Sequence, residues 1–453
     1  VVVRKFMFAN KRKVIGILLS LSIGGCIFLC TTYMVENLKV HAELSLISDD
    51  GLGSEYRISL KSDSLKDTIP EAVADKIKNM PETENVYATK YTMGELQISK
   101  NEFLSEEEWS DYFKYQNQEP YYIQRYDGIC KQQEDGNYRI KYNVYGYDEA
   151  MIEQLRDFIL EGEIQPETIK NNNQVIVTAN MDGQGNYFFY GKKPGDTITL
   201  RVPKTENYTD ELLKFQSGEE NYIEKEFEIA AIVNRPLAQE KDFLNTEVWK
   251  NAQSVIMTGE QMEENFGITD YSFINASPAD SADAKIVSNQ LLQVIRDVPK
   301  AVLQDYTTAI ATQKGYLGQQ QIFFSSIAVI LLIISLFHIV NSMSHTILTR
   351  RREYGIIRAI GITDGGFYKM ILQTGILYGL LADVFIYLIY NRVLRRVMNY
   401  YLAHVLQFLH YTTNIPNLVL NGIMVLNVVI AVVAVMFPAW KMGKENIISE
   451  IRR

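Results

Sequence analysis

Few residues in this 453-residue chain have the type and spacing to do chemistry. No glycine-rich loop ending in GKS or GKT is present, so the cradle that binds nucleotide phosphates is missing. Gly183-Gln184-Gly185 is a lone GxG in a turn, too short for a dinucleotide site. HExxH, paired CxxC and GxSxG do not occur. His41, His338, His345, His404 and His410 show no metal-ligand spacing. Cys26 and Cys30 lie one turn apart in an apolar run and Cys130 stands alone, which suits packing thiols and not a disulfide framework. Asn207 and Asn275 open N-x-[ST] triplets that chance supplies as easily as design.

Two constellations say more. Gly375, Gly379 and Asp383 recur every four residues, on one face of an apolar helix. Glycines let helices approach closely, and a carboxylate among apolar residues must face a partner or water. Ser20 and Gly24 repeat the pattern more weakly. A packing seam and a dimer or substrate-path face both fit. The second constellation is Thr349–Gly366, TRRREYGIIRAIGITDGG. Tyr354, Ile356, Ile357 and Ile360 suit the apolar side of an amphipathic helix, with Arg351, Arg352, Glu353 and Arg358 on its polar side. Gly361 and then Gly365-Gly366 are expected to end it. Such a helix either rests on a membrane or docks on a partner.

The elements that must hold these groups read as membrane spans. Val14–Val35 is uncharged, and 22 residues at 1.5 Å each reach about 33 Å, enough to cross a hydrocarbon core. It is too long for a signal peptide, and no small-residue cleavage site follows it. No charge lies between Lys314 and Arg350 or between Arg396 and Lys441. Met370–Tyr390 carries one, Asp383. Four transmembrane helices are therefore expected, at 14–35, 321–343, 368–390 and 417–438. Residues 1–13, 344–367 and 439–453 are basic and belong on the cytoplasmic side. Residues 36–320 then form a large extracytoplasmic domain. Residues 391–416 form an outer loop whose Arg392, Arg395 and Arg396 fit the rule poorly and must snorkel to the headgroups.

Composition agrees once it is divided. Mean hydropathy is −0.09 and net charge is −9. Residues 1–35 carry +5 and residues 344–453 carry +7, which leaves −21 for residues 36–343. The plain reading of that acidity is solubility at an anionic surface; the sharper one is attraction of a cationic ligand. An acidic balance argues against nucleic acid as a partner.

The outer domain reads as mixed α+β. Strands are expected at Tyr56–Leu60, Val86–Lys90, Glu95–Ile98, Tyr138–Tyr147, Gln174–Ala179, within Gly191–Val202 and at Phe227–Asn234. Helices are expected at Ile69–Asn79, Ala150–Leu160, Ser281–Arg296 and Leu303–Tyr316. The tyrosine-rich and acidic run 102–137 is either a solvated insertion or a surface that binds something.

The run from Val340 to Tyr378 resembles the FtsX-like/MacB-like ABC transporter permease family. The family's R-x-E-x-G-I-x-R-A-x-G pattern is met by Arg351, Glu353, Gly355, Ile356, Arg358, Ala359 and Gly361. Pro438-Ala439-Trp440 and the basic tail resemble the family's close, and the strand-like runs VYGYD, VIVT, GDTITL and FEIAAIV occur in the order of its extracytoplasmic core. FANKRKVIGILLSLSIGG resembles the start of the second half of large permeases of Gram-positive bacteria, which implies a C-terminal half or a fragment. Gln373-Thr374 stands where many members have Glu, and Asp383 where small residues are common.

The resemblance implies a membrane protein with a MacB-like core and a multi-pass place in the bacterial cell membrane. It implies a non-catalytic permease subunit of an ABC complex, working with an ABC ATP-binding subunit that holds ATP and Mg. A second permease copy or half would complete the unit, embedded in membrane lipid, with scope for an extracytoplasmic partner. Arg351, Arg352, Glu353, Tyr354, Gly355, Ile356, Arg358 and Gly361 would form the ATPase-coupling element. The substrate would be a peptide, lipid or lipoprotein that is exported or extracted, with antimicrobial peptide resistance one outcome. The alternative is a mechanotransmission relay that transports nothing and activates a cell-wall hydrolase or a sensor.

Overall fold

In the computed structural model of the chain the described residues are 11–48, 54–62, 64–102, 120–181, 187–204, 209, 213–215, 219–239, 254–405 and 417–444. The chain divides into two units, residues 42–314 and residues 1–41 with 315–453.

Along the chain, α1 (Lys11–Ser48) precedes β1 (Tyr56–Leu60), α2 (Glu71–Lys78), β2 (Thr83–Ile98), α3 (Pro120–Tyr126), β3 (Cys130–Gln132) and β4 (Tyr138–Tyr147). Next come α4 (Glu149–Gln154), β5 (Ile159–Gly162), α5 (Pro166–Asn171), β6 (Gln174–Thr178), the short pair β7 (Asn180–Met181) and β8 (Tyr187–Phe188), and β9 (Thr197–Pro203). The domain closes with β10 (Tyr222–Val233), β11 (Ser254–Thr258), α6 (Gly259–Phe266), β12 (Phe273–Pro278), α7 (Ala284–Ile295) and β13 (Ala301–Asp305). Then follow α8 (Thr307–Thr349), α9 (Arg351–Ala359), α10 (Asp364–Ile389), α11 (Arg395–Tyr400) and α12 (Asn417–Gly443).

Residues 42–314 hold two linked sheets. In the larger one, β2, β9, β10, β6, β11 and β4 pair in that order, and β4 pairs back to β2. The ring is therefore closed, which removes its edges. Its core is apolar, with Leu96, Ile140, Val144, Ile176, Leu200, Phe227 and Ile256 almost fully buried. The smaller sheet runs β13, β1, β12, β2. Helices α2 and α7 cover it, burying Val73, Ala74, Ile77, Val287, Leu291 and Ile295 against Ile58 and Ile274. β2 serves both sheets: Thr83–Thr89 meets β12 and Lys90–Ile98 meets β4. That is why two strands, read separately from the sequence, are one 16-residue strand. Helix α6 starts at a reciprocal cap: Thr258 Oγ1 accepts from Gln261 N and Gln261 Oε1 accepts from Thr258 N.

Several expectations change here. Leu303–Asp305 belongs to β13, because pairing with β1 outweighs the helical pattern; the helix starts at Thr307. Ala150–Leu160 is α4, one 3-10 turn and then β5, whose pairing with β10 draws Ile159 out of the helix. Within 102–137, residues 103–119 lie outside the described set, while Tyr122 and Tyr126 are buried in the core and not displayed. Asn275 is fully buried on β12, so its triplet is no glycosylation acceptor. Gly183–Gly185 and Asn207 lie outside the described residues.

In the other unit, α10, α12 and α1 pack together. Among the described residues two stretches are long and apolar enough to cross a membrane, Asp364–Ala403 and Leu418–Lys441. The expected spans 14–35 and 321–343 fall within α1 and α8. The expected outer loop 391–416 is helical through Val405, in two π turns (Tyr390–Leu394 and Tyr401–Val405) either side of α11. Tyrosine and valine at this helix end pack or stand exposed much as they do within the span, so no turn signal stops the helix at Tyr390.

Candidate docking helix and transmembrane seam

Helix α9 turns its Tyr354, Gly355 and Arg358 inward. The Tyr354 ring meets Phe367 nearly edge-on, with centroids 6.0 Å apart. The Arg358 guanidinium lies 5.4 Å from the centroid of the same ring, with Nη2 3.6 Å from Asp364 Oδ1. The aromatic face and the carboxylate make burial of this cation tolerable. Burial pushes the Tyr354 hydroxyl up to about 12, as a packing role requires.

Tyr354 is buried and Arg352 and Glu353 are exposed, as their places in the amphipathic pattern suggest, but Arg358 and two of the isoleucines change sides. Arg358 is 9% exposed, whereas Ile356 is 44% and Ile360 81% exposed. The cause is the turn that follows. Gly361 has φ +104°, open to glycine and strained for other residues. It folds the chain back so that the first turn of α10 covers the Tyr354–Arg358 side. Gly365-Gly366 does not end α9; it lies in the first turn of α10, where Gly366 N donates to Thr363 Oγ1 at 3.2 Å. The side of α9 left uncovered carries Arg352, Glu353, Ile356 and Ile360, while Arg351 is half-buried. Arg352, Ile356 and Ile360 are four residues apart and form one stripe.

The glycine face of α10 meets α12. A Cβ on Gly375 would come within 2.7 Å of Val435 Cγ2, and one on Gly379 within 2.9 Å of the Val428 Cα. Neither distance leaves room for a methyl group. One turn further on, Asn427 Nδ2 donates to Asp383 Oδ1 at 2.9 Å, with both residues buried. Helix α1 joins through Gly25, whose Cβ would meet Ile386 Cδ1 at 2.6 Å, and Ser22, whose hydroxyl donates to Ala382 O at 3.4 Å. Gly24 is buried in α1; the side chain of Ser20 lies outside the described ones. Asn427 was missed in the sequence, although an amide deep in an uncharged apolar run is a signal for a polar partner across the seam.

The closed ring of the other unit holds a buried charge group that composition did not reveal. Glu95 stands opposite Lys141 on β4 and opposite Arg201 on β9. Lys141 Nζ lies 2.5 Å from Glu95 Oε1 and Arg201 Nη1 3.2 Å from Glu95 Oε2. Phe215 and Tyr222 cover the two cations at 4.2 and 4.1 Å. Burial pulls the Lys141 ammonium below the usual lysine range, against the pull of Glu95. A cavity of about 440 Å³ in the same unit is lined by six carboxylates, among them Asp148 and Glu263, and by Lys90 and Lys170. Lys90 pairs with Glu263 at 3.3 Å and Lys170 pairs with Glu260. Among the described residues no group of three or more His, Cys, Asp or Glu is placed to hold a metal ion. Burial pushes the Cys130 thiol up to about 12, as for a packing thiol.

Residues 325–447 match the family model for the FtsX-like permease C-terminal region. An uncharacterized ABC transporter permease of Methanocaldococcus jannaschii is 26% identical over 235 residues, 51% of this chain and 55% of the relative. The chain thus spans about half the length of this curated relative. The periplasmic region of MacB from Actinobacillus actinomycetemcomitans aligns with a TM-score of 0.32 at 10% identity, covering 58% of this chain and 94% of that one. The extracellular domain of the noncanonic ABC-type transporter YknZ from Gram-positive bacteria aligns with a TM-score of 0.30 at 10% identity, covering 56% and 100%.

Proposed function

We propose that this chain, which carries an FtsX-like permease C-terminal region at residues 325–447, is the permease subunit of an ABC transporter complex. The observation that carries this reading is the form of α9 inside that region. Its inner side is pinned by Phe367 and Asp364, and its outer side offers Arg352, Ile356 and Ile360 to a partner. A short, anchored helix with an exposed apolar stripe beside a cation suits a protein groove. The partner in this reading is a separate ATPase subunit that binds ATP and Mg, as the permease family in general implies.

In this reading α1, α8, α10 and α12 are four spans of a bacterial cell membrane, with both termini and α9 cytoplasmic and residues 36–320 outside. Exposed Ile322, Phe323, Ile330, Ile334 and Phe337 on α8 suit contact with lipid or with a second permease copy or half. The substrate acts at the outer face, as a peptide, lipid or lipoprotein. The test is ATPase stimulation in a reconstituted complex. Ile360→Glu with Arg352→Glu is expected to lower stimulation at least tenfold while leaving the melting temperature of the permease unchanged. Full stimulation by that variant overturns the docking role of α9.

A further inference from the structure

The three arginines that fit the charge rule poorly sit on a helix whose surface explains them. From Lys369 to Arg392 the only charge is Asp383, and Asp383 is buried against Asn427. At 1.5 Å per residue that interval is about 35 Å, slightly more than a hydrocarbon core. With Lys369 at one boundary, Arg392 stands at the other. Arg396 lies one turn beyond, about 6 Å further, within the headgroup layer.

The helix does not stop at that boundary. It runs on through the π turn at Tyr390–Leu394 into α11. Arg392 and Arg396 are exposed and four residues apart, so they share a face, whereas Arg395 is half-buried. Beside them Val393 is 52% and Val397 59% exposed. Tyr387 below and Tyr400 and Tyr401 above are exposed as well. The surface therefore pairs two guanidinium groups with an apolar stripe, bracketed by tyrosines of the kind that lie at a membrane boundary. A soluble anion would meet the cations but leave Val393 and Val397 in water. A phospholipid fills both, with phosphate on the guanidinium groups and acyl chain on the valines.

We propose that Arg392 and Arg396 form a binding site for the phosphate headgroup of an anionic phospholipid. The site holds the end of this helix at the membrane boundary. The proposal rests on the reading of α10 as a membrane span.

The test is lipid retention by the full-length chain taken from mixed phosphatidylglycerol–phosphatidylcholine membranes, counted by native mass spectrometry. The wild-type chain is expected to retain phosphatidylglycerol preferentially. R392Q/R396Q is expected to lose that preference by about fivefold for each charge removed. R392K/R396K is expected to keep most of it, which separates a charge effect from a fold defect. An unchanged preference in R392Q/R396Q, or no preference in the wild type, overturns the site. Failure of the span reading shows differently: the chain would be released from membranes by alkaline carbonate.

Discussion

The two units bury polar groups by different means. In the closed ring, one carboxylate sits between two cations, Glu95 between Lys141 and Arg201, with every side chain nearly out of water. In the helical unit, Asp383 meets a neutral amide, that of Asn427, and no cation among the described residues. The contrast follows from what surrounds each group. The ring has an apolar core of tens of residues, whose burial of roughly 25 cal/mol per Å² can offset the cost of desolvating charges. In the membrane setting proposed for the α10–α12 seam, lipid is as apolar as leucine, so the hydrophobic effect would not hold the helices together. Close approach at Gly375 and Gly379, with one hydrogen bond, does that instead.

Glu95→Ala should break the contrast most severely. It strands two buried cations at once, for an expected loss of about 3–5 kcal/mol, read as a lower urea midpoint in near-ultraviolet circular dichroism. If the midpoint holds, the ring does not depend on its buried charges. Gly379→Leu comes next. Its side chain has no space against Val428, for an expected loss of about 1–3 kcal/mol and a lower thermal midpoint in detergent. Asp383→Asn should cost less, about 1 kcal/mol by the same melt, because an amide still pairs with Asn427. A loss as large as that of Glu95→Ala would show that Asp383 carries a charge that the seam needs.

The smallest effect is expected at the rim of the small sheet. Lys300 Nζ lies 2.6 Å from Asp67 Oδ2, and the Ser62 hydroxyl donates to the same oxygen. These bonds hold the Asp67 carboxyl below its usual range. Its stabilisation is present above the unfolded value, about 3.9, and is lost as pH falls through the lower folded value. Asp67→Asn should therefore flatten the acid limb of the stability curve slightly, by about 0.2–1 kcal/mol, the scale of an exposed pair. An unaltered acid limb would mean that the pair contributes nothing in solution.

Much of the fold of residues 42–314 was legible because strand signals are local. Tyr138–Tyr147 alternates apolar and polar residues, and β4 has those bounds. Tyr56–Leu60 is likewise β1. Misreadings arose where a distant strand decided the outcome, as at Leu303–Asp305 and Ile159. The helix seam was half legible. A four-residue spacing of glycines announces a close approach, but not that Val428 and Val435 fill it.

By itself, the sequence determined the apolar runs, the basic flanks, the acidic middle and the glycine face of α10. Each depends on residue type and spacing along one element. The tertiary structure alone decided which side of α9 is free. Hydropathy put Tyr354 and the isoleucines on one side of the helix and Arg358 with the other charged residues on the opposite side. Gly361 turns the chain back, and Phe367 and Asp364 meet the other side, so a cation on an aromatic ring is buried and Ile360 is left in the open. A pattern along one helix cannot encode which neighbour arrives to cover it.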